Sequence, residues 1–219
     1  MRLYLNVSVN KKTIPFNYQQ HLTAAIHKWI GEDNKYHGSL SLFSFSWLQN
    51  VNTNKTGIKL TQNSHFFISA FNNFLIKRIL KGIIQDPSFC FKSYITDVQI
   101  LENPRFSNNE TFLVASPVFI KRRFENKEKH ITYDNARSSE FLTETLKKKL
   151  TAAKLPSKNV SVEFNVMHAN PCTKVIYYND VGNKVNICPV TVKGTPEQIA
   201  FAWNVGVGNC TGIGFGALK

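Results

Sequence analysis

The sequence of 219 residues contains no run of about 18 apolar residues, so it predicts no transmembrane helix and no membrane partner. Its N-terminal residues, MRLYLNVSVN, alternate without a long apolar core and indicate a first strand rather than a signal peptide. Its four cysteines form no CxxC pair, which argues against a zinc site and a disulfide scaffold and favours reduced thiols in a cytoplasm. Neither a DxD nor an HExxH motif is present, so we expect no metal site, no cofactor and no metal-dependent nuclease.

Acidic residues are also scarce. Asp and Glu number 14 against 27 Lys and Arg, which gives a formal net charge of +13. Hydrophobic residues make up 42% of the chain, enough for a buried core, so disorder of the whole chain is excluded. A basic globular protein of this kind is expected to bind a polyanion.

Hydrophobic periodicity in the first hundred residues predicts the order βαββαβ. Apolar residues alternate with period two in the strands and recur with period 3.6 in the helices. The predicted strands are 2–9, 40–47, 65–69 and 92–101, the helices are 22–30 and 71–84, and an extra short strand is 57–60. This order is that of the ferredoxin-like arrangement.

A second set of elements follows a polar seam near residues 102–110. The predicted strands are 111–119, 130–133, 160–166, 175–178 and 185–192, and the helices are 138–150 and 195–203, with Lys147 to Lys149 on the exposed side of the former. We therefore predict an α+β protein of two tandem ferredoxin-like (RRM-like) βαββαβ domains, residues 1–105 and 106–219.

The chain ends with the glycine-rich segment NVGVGNCTGIGFGALK. A Rossmann loop would follow a strand and open a helix, and a Walker A loop would contain Gly-Lys-Ser/Thr, so both are excluded here. Two interpretations stay open: a cradle for backbone phosphates, or a set of turns that need positive φ. The glycines concerned are Gly206, Gly208, Gly212, Gly214 and Gly216.

Together with the two predicted halves, three segments carry a resemblance to one family. They are PFNYQQHLTAAIHKWI at 15–30, FLVASPV at 112–118 and GVGNCTGIGFG at 206–216. The chain resembles the CRISPR-associated endoribonucleases that cut repeat RNA, members of the RAMP (repeat-associated mysterious protein) superfamily. The resemblance implies a metal-independent cut within each repeat by 2′-hydroxyl attack, with 2′,3′-cyclic phosphate and 5′-hydroxyl products, to release guide crRNAs. It also implies that pre-crRNA is the main partner, with CRISPR effector subunits as further candidates, and exposed apolar residues on either half leave a homodimer open.

The resemblance implies a catalytic pair, His37 in a loop and His27 on the first helix, with the assignment of base and acid left open. At 100° per residue, His27 projects about 130° from the centre of the apolar stripe, so it is not expected in the core. His21 lies off the stripe on the other side and is the reserve candidate. Some members of the family carry a lysine where this chain has Ser41, so the cation at the phosphate is expected from Lys35 or Lys28, or is absent.

The resemblance also implies that Lys121, Arg122 and Arg123 hold RNA, and we expect the terminal glycines, Lys28 and Lys35 to contribute to RNA binding. Two alternatives stay open. The first is a catalytically silent RAMP-type subunit that binds RNA within an effector complex. The second is a basic structural protein of an RNA assembly, which would not explain the terminal glycine pattern.

Overall fold

The structure is a computed structural model that describes residues 1–10, 12–31, 40–168 and 170–219. His37 and Lys35 of the predicted site therefore lie outside the described residues. The first half contains, in chain order, β1 (Arg2–Val7), α1 (Gln19–Ile30), β2 (Phe43–Phe45), β3 (Asn52–Asn54), β4 (Gly57–Lys59), β5 (His65–Ala70), α2 (Asn73–Gln85) and β6 (Ile95–Leu101).

Four of these strands form one sheet in the order β2-β5-β1-β6, in which every neighbouring pair is antiparallel. Alternate residues of the two central strands, such as Leu3, Leu5 and Phe66, point into a core that also contains Leu22 and Ile79 from the two helices. The helices therefore cover one face of the sheet, as the ferredoxin-like arrangement requires. The short hairpin of β3 and β4 occupies the place of the extra strand predicted at 57–60.

The second half repeats this arrangement. Its elements are β7 (Asn109–Phe112), β8 (Lys121–Phe124), β9 (Lys127–His130), α3 (Ser138–Ala152), β10 (Ser161–Phe164), β11 (Cys172–Tyr178), β12 (Val181–Ile187), β13 (Val190–Lys193), α4 (Pro196–Val205) and a 3₁₀ turn (Thr211–Ile213). The sheet has the order β10-β13-β7. The C-terminal residues then run beside Leu113, whose N–H and C=O both bond to Lys219, and take the position of a fourth strand. The predicted α+β class with two tandem ferredoxin-like halves is confirmed.

Two predicted strands of this half that contain proline are shorter than expected, and the strand predicted at 130–133 lies instead at Lys127–His130. The strand predicted at 111–119 ends at Phe112, and Pro117 follows within the predicted range. The strand predicted at 185–192 is divided at Pro189 into the end of β12 and the separate strand β13. Proline has no N–H to donate and is excluded from central ladder positions. Outside this sheet, β11 and β12 form one hairpin, and β8 and β9 form another.

Each half is built around its own large cluster of buried hydrophobic residues. The first draws its residues from positions 1–98 and the second from positions 106–218, apart from Leu42, which packs against the second. A smaller cluster of Phe67, Ala115 and Ala217 joins them. The boundary between residues 105 and 106 stays a prediction. None of the helices in the described part of the chain has both the length and the apolar character needed to cross a bilayer.

Candidate active site between the two halves

A cleft of about 570 Å³ lies where α1 of the first half meets the glycine-rich end of the second half. His27 and Thr23 line it from α1, and Lys121, Lys149 and Tyr178 line it from β8, α3 and β11, together with residues 208–213. No carboxylate occurs among the described residues that line this cleft. The lysines and the imidazole that line this cleft suit it to an anionic ligand.

The position of His27 follows from the amphipathic pattern of α1. Leu22, Ile26 and Trp29 are buried in the first core, so the adjacent face of the helix is left for polar residues. His27 is only partly exposed, and the edge of its ring meets Phe43 with the ring centroids 6.4 Å apart. The core thus determines the direction in which this imidazole points, and that direction is into the cleft.

The glycine-rich segment is held from both halves. Gln19 Nε2 donates to the carbonyl groups of Ile213 and Gly214, and Trp47 Nε1 donates to Gly214 O at 2.7 Å. From the second half, Asn209 N donates to Phe119 O at 2.7 Å. The segment is therefore an ordered wall of the cleft, and it ties the start of α1 to the end of the chain.

Close packing explains the glycines of this wall, because all five are buried. At Gly216 the backbone has φ +65° and a Cβ atom would lie 1.9 Å from Val207 O, so only glycine fits. Gly208 and Gly212 line the cleft, whereas Gly206, Gly214 and Gly216 pack away from it. Their binding of RNA stays a prediction.

Lys149 corrects an expectation, since it is not on the exposed side of α3. Its side chain is buried, and the residue is 2% exposed. Nζ donates to Val205 O at 3.1 Å, Gly206 O at 3.2 Å and Thr211 Oγ1 at 3.0 Å. Burial lowers the pKa of Lys149 to about 7. Lys149 lies three residues after Leu146, and this spacing indicates the apolar side of the helix. The prediction instead followed the run of three lysines from Lys147 to Lys149, which is typical of an exposed face.

Tyr178 is a second residue of the cleft that sequence patterns did not single out. It ends β11 and is hydrogen-bonded to Thr23 of α1, across the junction of the two halves. Burial raises the pKa of Tyr178 above its ordinary value, although the hydrogen bond with Thr23 opposes this shift. The phenol therefore stays protonated near neutral pH.

The predicted basic residues have different environments. Lys121 lines the cleft and pairs with Glu128 at 3.2 Å. Arg122 is directed into its own half, where Nη2 donates to Phe141 O. Arg123 is exposed. The structure brings only Lys121 of these three into the cleft with His27.

Lys28 lies outside the cleft. Its Nζ donates to Asp86 Oδ2 at 2.8 Å and to Ser88 Oγ at 3.0 Å. The hydrogen bond from Lys28, with others from Ser88, lowers the pKa of Asp86 to about 2. Lys28 does not line the cleft that His27 lines, and its binding of RNA stays a prediction.

His21 is also separate from the cleft, because its ring packs edge-on against Phe91 with centroids 4.9 Å apart. Of the two histidines on α1, His27 is the one beside the glycine-rich wall. Within the described ranges, no group of three or more His, Cys, Asp or Glu side chains could hold a metal ion.

Tandem ferredoxin-like halves with a glycine-rich segment at the end of the second half are typical of the RAMP type of protein. Residues 101–219 match the family model described as CRISPR associated protein Cas6, C-terminal, and this match covers more than half of the chain. The chain belongs to the Cas6 family. Among curated proteins, none matches its sequence.

Solved structures of similar fold cover the whole chain. The product of a Cas6-related gene from Pyrococcus furiosus superposes with a TM-score of 0.88 at 21% identity, over 100% of this chain and 97% of that one. A CRISPR associated protein Cas6 superposes with a TM-score of 0.84 at 25% identity, over 100% and 98%. A RAMP protein described as binding different RNA substrates has a TM-score of 0.83 at 17% identity, over 100% and 98%.

Proposed function

We propose that the protein is a metal-independent endoribonuclease that binds CRISPR repeat transcripts and cuts within each repeat to release guide crRNAs. The observation that carries this proposal is the cleft in which His27 of the first half and Lys121 of the second half line one space. Membership of the Cas6 family supports CRISPR repeat RNA processing in general. The RNA-binding description of a RAMP structure of similar fold also supports RNA as the ligand.

The chemistry needs a base, an acid and a positive charge. The base removes the proton of a 2′-hydroxyl, and the 2′-oxygen attacks the adjacent phosphorus. The bond from phosphorus to the 5′-oxygen then breaks, and the acid protonates that oxygen. The products are a 2′,3′-cyclic phosphate and a 5′-hydroxyl.

We assign the two proton-transfer roles to His27 and His37, with the choice between base and acid open. Imidazole suits both roles, because its ordinary pKa near 6.5 allows one ring to be neutral and the other charged close to neutral pH. His27 supports this assignment by its position in the cleft. The assignment of His37 rests on the resemblance alone.

Lys121 is the cation that we propose at the phosphate. It lines the cleft with His27, whereas Lys28 does not. Its ion pair with Glu128 is between half-exposed side chains, and such a pair contributes little to stability, so a phosphate can replace the carboxylate. The net charge of +13 adds affinity that does not depend on sequence.

The test is cleavage of an RNA that contains one repeat, in EDTA. We expect cleavage to proceed, to yield a 2′,3′-cyclic phosphate, and to stop when the sugar at the scissile position is 2′-deoxy. The 2′-deoxy RNA serves as the matched control, because it keeps every phosphate and base. Tight binding of both RNAs without any cut would instead indicate the catalytically silent RNA-binding subunit.

A further inference from the structure

The hairpin of β11 and β12 presents two adjacent tyrosines in opposite directions. Ile176 and Tyr178 share one face of β11 with Val185 of the partner strand, and this face packs against Phe119 and Phe215. Tyr177 is on the other face and is 60% exposed. The core under the hairpin therefore directs Tyr178, and not Tyr177, toward α1.

On α1, Tyr178 meets Thr23, one helical turn before His27. Thr23 Oγ1 donates to Gln19 O at 3.0 Å and is also hydrogen-bonded to the phenol of Tyr178, a bond that lowers the pKa of that phenol. Residues four apart on a helix lie on the same face with Cβ atoms about 6 Å apart. The phenol is thus held beside His27 on the same side of the cleft.

Resting on the proposed function, the geometry points to Tyr178 as a further catalytic residue, whose hydroxyl donates a hydrogen bond to a non-bridging oxygen of the scissile phosphate. The phenol keeps its proton and directs it to the phosphate when RNA occupies the cleft, so no bond to hydrogen is broken. The donor strengthens its interaction as negative charge grows on that oxygen during attack. The cleft holds Lys121 as a further positive group beside the same anion.

A donor role agrees with the protonation of the phenol. Because burial raises its pKa, Tyr178 keeps its proton near neutral pH and cannot serve as the base. The base and the acid remain the histidines, and Tyr178 stabilises the charge that develops between them. The second half of the molecule thus contributes a phenol, as well as a lysine, to a site whose His27 belongs to the first half.

The test compares Tyr178→Phe with Tyr177→Phe, which removes the same atom from the outer face of the same strand. At saturating repeat RNA, we expect Tyr178→Phe to slow cleavage by roughly 10- to 100-fold. Its affinity for 2′-deoxy RNA is expected to fall by roughly three- to tenfold, the loss of one hydrogen bond. Tyr177→Phe is expected to remain within about twofold of the parent in both measurements, as typical surface substitutions do.

Failure of this inference can be told apart from failure of the proposed function. Parent-like cleavage and binding by Tyr178→Phe overturn the role of Tyr178 while the proposed function stands. If the parent itself does not cut, the proposed function fails. The affinities of the parent and of Tyr178→Phe for 2′-deoxy RNA then show whether Tyr178 contacts RNA. Replacing Tyr178 by a fluorinated tyrosine of lower pKa is a second measurement: the cleavage rate of this variant relative to the parent at the same pH should fall as the pH rises through the pKa of the fluorinated phenol, and a constant ratio overturns the donor role.

Discussion

Arg2→Met removes a guanidinium that lies between the two halves of the molecule. Arg2 comes from the first strand, is 1% exposed, and donates to Ser69 Oγ at 2.7 Å, Trp203 O at 3.1 Å and Leu218 O at 2.8 Å. Its Cζ lies 3.7 Å from the ring centroid of Phe67 and 3.4 Å from that of Trp203. One side chain thus connects the first sheet to α4 and to the C-terminal segment.

The expected loss follows from these contacts. Three hydrogen bonds of a charged donor are removed, and each buried acceptor left without its partner costs about 1–3 kcal/mol. Release of a buried charge that has no carboxylate partner among the described residues offsets part of this loss. We expect a net decrease of about 3 kcal/mol in the free energy of unfolding. In urea this corresponds to a midpoint lower by roughly 1 M.

Urea unfolding followed by tryptophan fluorescence measures the effect, and Arg105→Met is the matched control. Arg105 is exposed in the segment between the halves, so its replacement should change stability by less than about 0.5 kcal/mol. If Arg2→Met lost no more stability than Arg105→Met, the buried guanidinium would not hold the halves together and the reasoning would be refuted.

Two further predictions concern the wall of the cleft. Burial lowers the pKa of Lys149 from 10.5 to about 7, so between these values the unfolded chain binds one more proton than the native chain and stability rises with pH. Between pH 7 and 9, the free energy of unfolding of the parent should therefore rise relative to that of Lys149→Met by roughly 1 kcal/mol per pH unit. If urea unfolding gave the same difference between parent and variant at every pH, this prediction would be contradicted. Gly216→Ala should lose roughly 2–4 kcal/mol of unfolding free energy, by strain at positive φ and by the clash with Val207 O. Gly182→Ala is the control, because the atom nearest to its added Cβ lies at 3.4 Å, and it should lose less than about 1 kcal/mol. Equal thermal unfolding of the two variants would show that glycine is not required at position 216.

The fold of the first half could be predicted because its elements follow simple periods. The strand at 2–9 and the helix at 22–30 each present one apolar face, and the observed β1 and α1 contain most of these residues. The second half was harder, since two hairpins project from its sheet and prolines divide its apolar runs. Periodicity identifies an apolar face, but it does not show whether a strand joins the central sheet or an outlying hairpin.

The candidate site could be predicted only in part, for a related reason. His27 was expected off the apolar stripe, and the core of α1 does direct it into the cleft. Tyr178 and Thr23 meet through a contact between residues far apart in the chain, which no local pattern contains. Lys149 was placed on the wrong side of α3 because adjacent lysines usually mark a solvated face, and its buried acceptors come from α4 and the glycine-rich segment.

The most direct test of the active site between the halves is the rate of single-turnover cleavage of repeat RNA in EDTA by the parent, His27→Ala and His21→Ala. Both histidines are on α1, but only His27 lines the cleft, while His21 packs against Phe91. The account predicts that His27→Ala slows cleavage by roughly 10²- to 10⁴-fold and that His21→Ala cuts at a rate close to that of the parent. Cleavage by His27→Ala at the parental rate, or a larger loss in His21→Ala, would contradict it.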